Sequence, residues 1–202
     1  VDIGIAHDVE ARGLIHKKIA YGTQDFSQVP AMTRNQALQA IGVGIQLVQE
    51  LKQKGYQLIA TGEMGIGNTC SASALACMLL NEAAEQLTGV GTGIRAEQLA
   101  HKKQVIDRAV ALHREYVQQD AFKALCAVGG LEIAAMVGAY IRCAQLGLPM
   151  VVDGFISTAA ALVAVKLNSA VREWMLFGHQ SAEYGHQRLL QELNAEPILK
   201  LN

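Results

Sequence analysis

The densest chemistry in this sequence sits in Gly62-Glu63-Met64-Gly65-Ile66-Gly67-Asn68-Thr69. Glycines at 62, 65 and 67 open backbone angles closed to other residues, so the amides of Gly65, Ile66 and Gly67 can turn inward as a nest for an anion. A helix starting straight after the loop would add the positive end of its dipole, with Asn68 or Thr69 as its cap. A phosphate suits such a place. The plainer reading of the same spacing is a tight turn from strand to helix. Glu63 complicates an anion site, because a carboxylate there repels the ligand unless it faces another part of it. It could accept hydrogen bonds from ribose hydroxyls or take a proton from a reacting nitrogen, and otherwise it is a solvated or capping acid. No Gly-Lys-Ser/Thr follows, which excludes a nucleoside triphosphate P-loop. The spacing also differs from the dinucleotide fingerprint GxGxxG, which weighs against a nicotinamide-dependent oxidoreductase.

Other residues invite a role by position. A second glycine run, Gly89-Val90-Gly91-Thr92-Gly93, precedes His101-Lys102-Lys103. Lysines there are ordinarily solvated, and a nearby phosphate would give Lys102 a partner. Asp153 closes an apolar strand-like run where a substrate-contacting acid would sit, although Asp also starts turns. Ser181 follows a third strand-like run. Gly129-Gly130 lets elements pack closely. There is no GxSxG elbow, no close carboxylate pair suited to glycoside hydrolysis and no HExxH-type metal pattern. Cys70, Cys77, Cys126 and Cys143 lie singly in apolar segments and read as buried thiols of a reducing cytoplasm.

These residues need elements to hold them. Short β-branched runs alternate with longer helical ones. Strands are predicted at Val1–Ala6, Gln57–Thr61, Met150–Asp153 and Trp174–Phe177. Helices are predicted at Asn35–Lys54, Cys70–Leu80, from Leu99 or Ala100 to Gln118, over Phe122–Gln145 without a break, after Gly154, and at Gly185–Leu193. Strands separated by helices imply βαβ units and a mainly parallel, Rossmann-like sheet with helices on both faces. Ligands bind such sheets at the carboxyl ends of the strands, where the loop from Gly62, Asp153-Gly154 and the Gly178-to-Ser181 turn all fall.

A length of 202 residues, 51 % of them hydrophobic and 17 % charged, is enough for one α/β core spanning residues 1–202. The net charge of −1, with no basic block, disfavours nucleic acid and anionic membranes as partners. The greasiest stretches, Ala124–Ile141 and Gly154–Val165, are interrupted or bounded by charges and do not read as bilayer spans. The opening Val1-Asp2-Ile3-Gly4-Ile5-Ala6 is unlike a secretory leader and lacks Met, which suggests a trimmed chain.

Four strings taken together carry a resemblance: Gly62 to Thr69, Ala127-Val128-Gly129-Gly130-Leu131-Glu132-Ile133, Val152-Asp153-Gly154-Phe155-Ile156-Ser157 and Ser181-Ala182-Glu183-Tyr184-Gly185-His186. With the upstream Pro30-Ala31-Met32-Thr33, they resemble the nicotinate-nucleotide:dimethylbenzimidazole phosphoribosyltransferases over nearly the whole chain. The resemblance implies transfer of a 5-phosphoribosyl group from nicotinate mononucleotide to a benzimidazole nitrogen. Nicotinate is released, and the product is the α-ribazole 5′-phosphate used for the lower-ligand nucleotide of cobalamin-type cofactors. It implies that the amides of Gly65, Ile66 and Gly67 and the Lys102 ammonium hold the phosphate, with Asn68, Thr69 and Ser181 close by, Asp153 on the substrate and Glu63 beside the reacting sugar. It further implies no metal or other cofactor, a cytoplasmic homodimer, and a Rossmann-like sheet with a small helical domain. That domain is expected to be largely missing here, as is the family's main base glutamate, which lies in a Met-Arg-Leu-Gly-Glu-Gly segment that would begin where this chain stops at Asn202. Loss of a base costs roughly 10²- to 10⁴-fold in rate, so the chain alone is expected to bind the nucleotide better than it turns it over. A non-catalytic nucleotide-binding or dimerisation module derived from that enzyme is the competing expectation.

Overall fold

A computed structural model describes residues 1–91 and 95–200. Residues 92 and 93 of the second glycine run therefore lie outside the described residues. Helix α1 (Arg34–Gln53) starts at a capping box: Gln36 N donates to Thr33 Oγ1 at 3.2 Å, and Thr33 N donates to Gln36 Oε1 at 2.9 Å. Strand β1 (Ile59–Thr61) leads through the Gly62 loop to α2 (Thr69–Leu80). The short α3 (Ala84–Leu87) and the long α4 (Ala96–Val117) follow, then α5 (Ala121–Val128) and α6 (Leu131–Gln145). Beyond them come β2 (Met150–Val152), α7 (Gly154–Leu167), a 3₁₀ turn over Ser169–Trp174, β3 (Met175–Gln180), α8 (Tyr184–Glu192) and β4 (Pro197–Lys200).

All three strand pairings are parallel, in the order β1-β2-β3-β4, and Thr61, Val152 and Phe177 stand in register. The carboxyl ends of β1 and β2 are therefore level and their loops emerge side by side, while β3 continues past Phe177 to Gln180. One sheet face, carrying Ile59, Met150, Val152, Met175 and Phe177, is buried. Helix α7 packs on β2 and β3 and is itself surrounded by α2, α5, α6 and α8, which explains why every residue from Phe155 to Ala164 is buried. The opposite face, with Leu58, Ala60, Leu176 and Ile198, is exposed, so among the described residues the helical cover lies on the first face.

Two expectations are corrected. Val1–Ala6 is not a strand but makes one isolated bridge, Asp2 to His16. The buried Asp2 carboxylate takes the Ile5 amide at 2.9 Å and the Lys18 ammonium at 2.9 Å, which turns the chain back on itself. Burial would raise this acid, but Lys18 and the backbone amides outweigh it and hold the carboxyl below its ordinary range. The single helix expected over Phe122–Gln145 is two helices, because Gly129 and Gly130 are extended. The carbonyls freed at the end of α5 are used: Cys126 O accepts from Met32 N and Ala127 O from Ala31 N, at 3.0 and 2.9 Å. Strand β4, α3 and the 3₁₀ turn were not anticipated. They are four to six residues long, too short to show a periodicity.

Candidate functional site

The loop from Gly62 to Asn68 leaves the level end of β1 with Gly65 at φ +76° and Gly67 at φ +83°, left-handed angles that only glycine adopts without strain. Met64 and Ile66 point their side chains to solvent. Among the described residues the amides of Ile66 and Gly67 meet no protein acceptor, whereas Gly65 N donates to Glu63 Oε2. One of the three amides is therefore already taken, by the carboxylate of the loop's own Glu63. The same oxygen accepts from Asn68 Nδ2 at 2.7 Å, and the second Nδ2 hydrogen reaches Glu132 Oε1 at 3.3 Å. Asn68 stands at the N-cap of α2, but its side chain makes no capping hydrogen bond, contrary to the expectation for it. The side chain is turned so that its Nδ2 hydrogens serve the two glutamates, which leaves the oxygen that a cap would use away from the helix amides. Its Oδ1 is buried without a partner among the described residues.

Glu132, quoted in the sequence only as part of a string, thus joins the site. Burial raises its pKa, the Asn68 amide opposes that rise, and the nearby Glu63 charge adds to it. Its place depends on Gly130, where a Cβ would stand 2.5 Å from Glu132 Oε1. Nothing in local spacing reveals this contact, although two glycines ahead of an acid in an apolar run were a signal that room was being made.

Lys102 extends from α4 to the first residue of α2, donating to Thr69 Oγ1 at 3.1 Å and to Gly89 O at 3.2 Å. Its ammonium therefore stands at the amino end of α2, beside the loop. Asp153 follows β2, with Oδ2 3.8 Å from where a Cβ on Gly62 would be, and its Oδ1 lies 2.9 Å from His179 Nδ1 of β3. At 61 % exposure the Asp153 side chain remains open to a ligand. His179 was missed because only the parallel register sets it beside residue 153.

Ser181 follows β3. Its amide and Oγ lie 3.1 and 2.9 Å from His186 Nδ1, and His186 Nε2 is 3.0 Å from Thr158 Oγ1. Two residues on, Glu183 accepts from Gly91 N at 2.9 Å and crowds Gly89 so closely that a Cβ there would overlap its carboxylate. The turn after β3 thereby abuts the peptide whose carbonyl holds Lys102. Glu63, Gly65 and Asn68 are brought into contact, Thr69 meets Lys102, and Asp153 lies beside Gly62, while Ser181 follows β3, on the far side of β2 from the loop.

Two concavities, of about 220 and 480 Å³, are lined by Glu82, Tyr184 and Arg188 and by Lys52, Gln57 and Leu148, and neither includes a site residue. The four cysteines are free, and burial pushes Cys77 up to about 12 and Cys126 and Cys143 up to about 11, so these three are no nucleophiles. Among the described residues no group of His, Cys, Asp and Glu could hold a metal ion, and no helix is long and apolar enough to cross a membrane.

Comparison with known proteins adds an independent observation. A family model described as phosphoribosyltransferase matches residues 1–202. A protein of Pseudomonas syringae pv. tomato named nicotinate-nucleotide--dimethylbenzimidazole phosphoribosyltransferase is 50 % identical over 201 residues, which cover 100 % of this chain and 57 % of that protein. One of the same name from Pseudomonas fluorescens is 50 % identical over 202 residues with the same coverage. The solved structure of CobT from Thermus thermophilus superposes with a TM-score of 0.93 at 37 % identity, over 99 % of this chain and 60 % of that one. The chain thus spans 57 % of the length of these curated relatives.

Proposed function

This chain belongs to the nicotinate-nucleotide–dimethylbenzimidazole phosphoribosyltransferase family, and on that premise we propose that it is a phosphoribosyl-binding α/β core. Its site would serve transfer of the 5-phosphoribosyl group of nicotinate mononucleotide to 5,6-dimethylbenzimidazole. The observation that carries this reading is the meeting of the Lys102 ammonium, the amino end of α2 and two uncommitted amides, Ile66 and Gly67, at one strand end. Cation, helix dipole and amides are what a phosphate dianion needs. The Gly65 amide would join them once Glu63 swings out of the nest, and that movement would deliver the carboxylate toward the sugar. Asn68, Thr69 and Ser181 border the phosphate in this reading, and Asp153 faces the ribose. Displacement at the anomeric carbon by the azole nitrogen breaks the bond to nicotinate and releases one proton from the azole, for which Glu63 is the acceptor in reach. The homodimer and the cytoplasmic setting of such an enzyme are part of the same proposal.

The test compares nicotinate mononucleotide with its dephosphorylated riboside by calorimetry. Wild type should bind the mononucleotide at least about tenfold tighter, and Lys102→Met should erase most of that difference. Equal affinity for the two compounds in wild type overturns the proposal.

A further inference from the structure

We infer that His186 is a positioning residue, which through its Nδ1 atom fixes Ser181 at the site, and this rests on the functional reading above. The direction of each hydrogen bond follows from one that cannot be reversed. The Ser181 backbone N–H can only donate, and it points at His186 Nδ1 from 3.1 Å. Nδ1 is then an acceptor and carries no proton, so the single ring proton of the neutral imidazole is on Nε2. From there it is donated to Thr158 Oγ1 at 3.0 Å, and the Thr158 hydroxyl donates onward to Gly154 O at 2.7 Å. The Ser181 Oγ, 2.9 Å from Nδ1, must also be a donor, because two acceptors would repel. The relay therefore begins at Ser181, passes through the ring and ends at Gly154, and every polar atom of the ring is satisfied.

The ring is 1 % exposed and cannot itself touch a ligand. The ionisable groups that face it are His179, edge-on at 5.8 Å between ring centroids, and Asp153, while Phe155 packs at 6.4 Å. Burial and the His179 charge hold its pKa down to about 4, so the acceptor on Nδ1 persists through the neutral range. The consequence is geometric. Ser181 sits on a turn between β3 and α8, where it would otherwise be free to rotate, and the relay ties it to the residue that follows Asp153. The two polar groups at neighbouring strand ends are held at one spacing before any ligand arrives, which is what preorganisation requires.

A histidine that merely filled the core would act on stability without acting through Ser181, and a mutant cycle separates the two. Binding of nicotinate mononucleotide is measured for wild type, Ser181→Ala, His186→Leu, His186→Asn and the Ser181→Ala/His186→Leu pair, with thermal melts on each. Wild-type binding is the check on the functional reading itself. His186→Leu is expected to weaken binding about tenfold, and the pair no more than Ser181→Ala alone. His186→Asn, whose Oδ1 can stand in for Nδ1, should recover most of the loss. A His186→Leu penalty that persists undiminished on the Ser181→Ala background, or no penalty at all, overturns the inference. Should His186→Leu fail to fold, or wild type not bind, ¹⁵N-histidine NMR of wild type decides: a proton on Nδ1 of His186 at neutral pH overturns the inference, and one on Nε2 alone supports it.

Discussion

Glu63 and Glu132 share one asparagine, and their opposite fates illustrate what a single residue contributes. Glu63 takes one of the amides that a phosphate would need, so Glu63→Gln should bind inorganic phosphate several-fold more tightly, by removing a like charge, while nicotinate release falls by roughly 10²- to 10⁴-fold. A phosphate titration followed by a nicotinate-release assay checks both halves. Glu132 is an acid whose folded-state pKa is raised. Its neutral form is the favoured one, so the stability it contributes is complete below its ordinary 4.5 and is lost as pH rises through the higher folded value. Glu132→Gln should therefore melt above wild type by a margin that widens as pH goes from about 4 to 7. His186 has the opposite sign. Its pKa falls from 6.5 to about 4, so the contribution is complete above 6.5 and is lost as pH drops through 4, with roughly 3 kcal/mol at stake. Urea denaturation across that window should show a steeper acid loss for wild type than for His186→Asn. The glycine loop and Glu63 were legible in the sequence because their partners are neighbours along the chain. Glu132, His179, Glu183 and the role of His186 were not, because the contacts that define them depend on how the chain folds back rather than on its spacing.

At the scale of elements, the joint between α1 and α6 is a very close approach of two helices. A Cβ on Gly44 would stand 1.8 Å from Ala135 O, and one on Gly138 would stand 2.0 Å from Ile41 O. Both obstacles are backbone, which cannot rotate aside, so the helices must separate to admit even a methyl group. Gly138→Ala should cost about 2 kcal/mol or more in urea denaturation, whereas Gly42→Ala, on the same helix as Gly44 but facing open space, should be neutral or slightly stabilising. Periodicity located α1 and α4 within a few residues, whereas α2 and α7 showed only as continuous apolar runs after a glycine turn, because they are buried all round. It ran through Gly129-Gly130 because the apolar pattern is continuous there. Only the fold shows the break in use, with the Ala31 and Met32 amides on the carbonyls of Ala127 and Cys126, and the close packing of Gly129 on Leu125 O, where a Cβ would be 2.4 Å away, shows why that position is glycine.

For the whole molecule, the unequal sheet faces matter most. Parallel sheets are ordinarily covered on both sides, and here Leu58, Leu176 and Ile198 are about half exposed or more on one of them. The 202-residue chain by itself should bind a hydrophobic dye and associate with rising concentration in light scattering, and Leu176→Lys should reduce both without lowering the melting temperature. Unchanged association in that variant would place the sticky surface elsewhere. The sequence by itself determined the class of the fold and the family, because alternating strand and helix periods and contiguous glycine-rich strings are local properties that survive without coordinates. The tertiary structure alone decided that the Glu63 carboxylate takes the Gly65 amide, that Lys102 reaches Thr69, and that a buried imidazole lies within hydrogen-bond distance of Ser181. Hydrogen-bond direction and charge proximity depend on which side chains the folded strands bring within about 3 Å of one another, and no spacing along the chain encodes that distance.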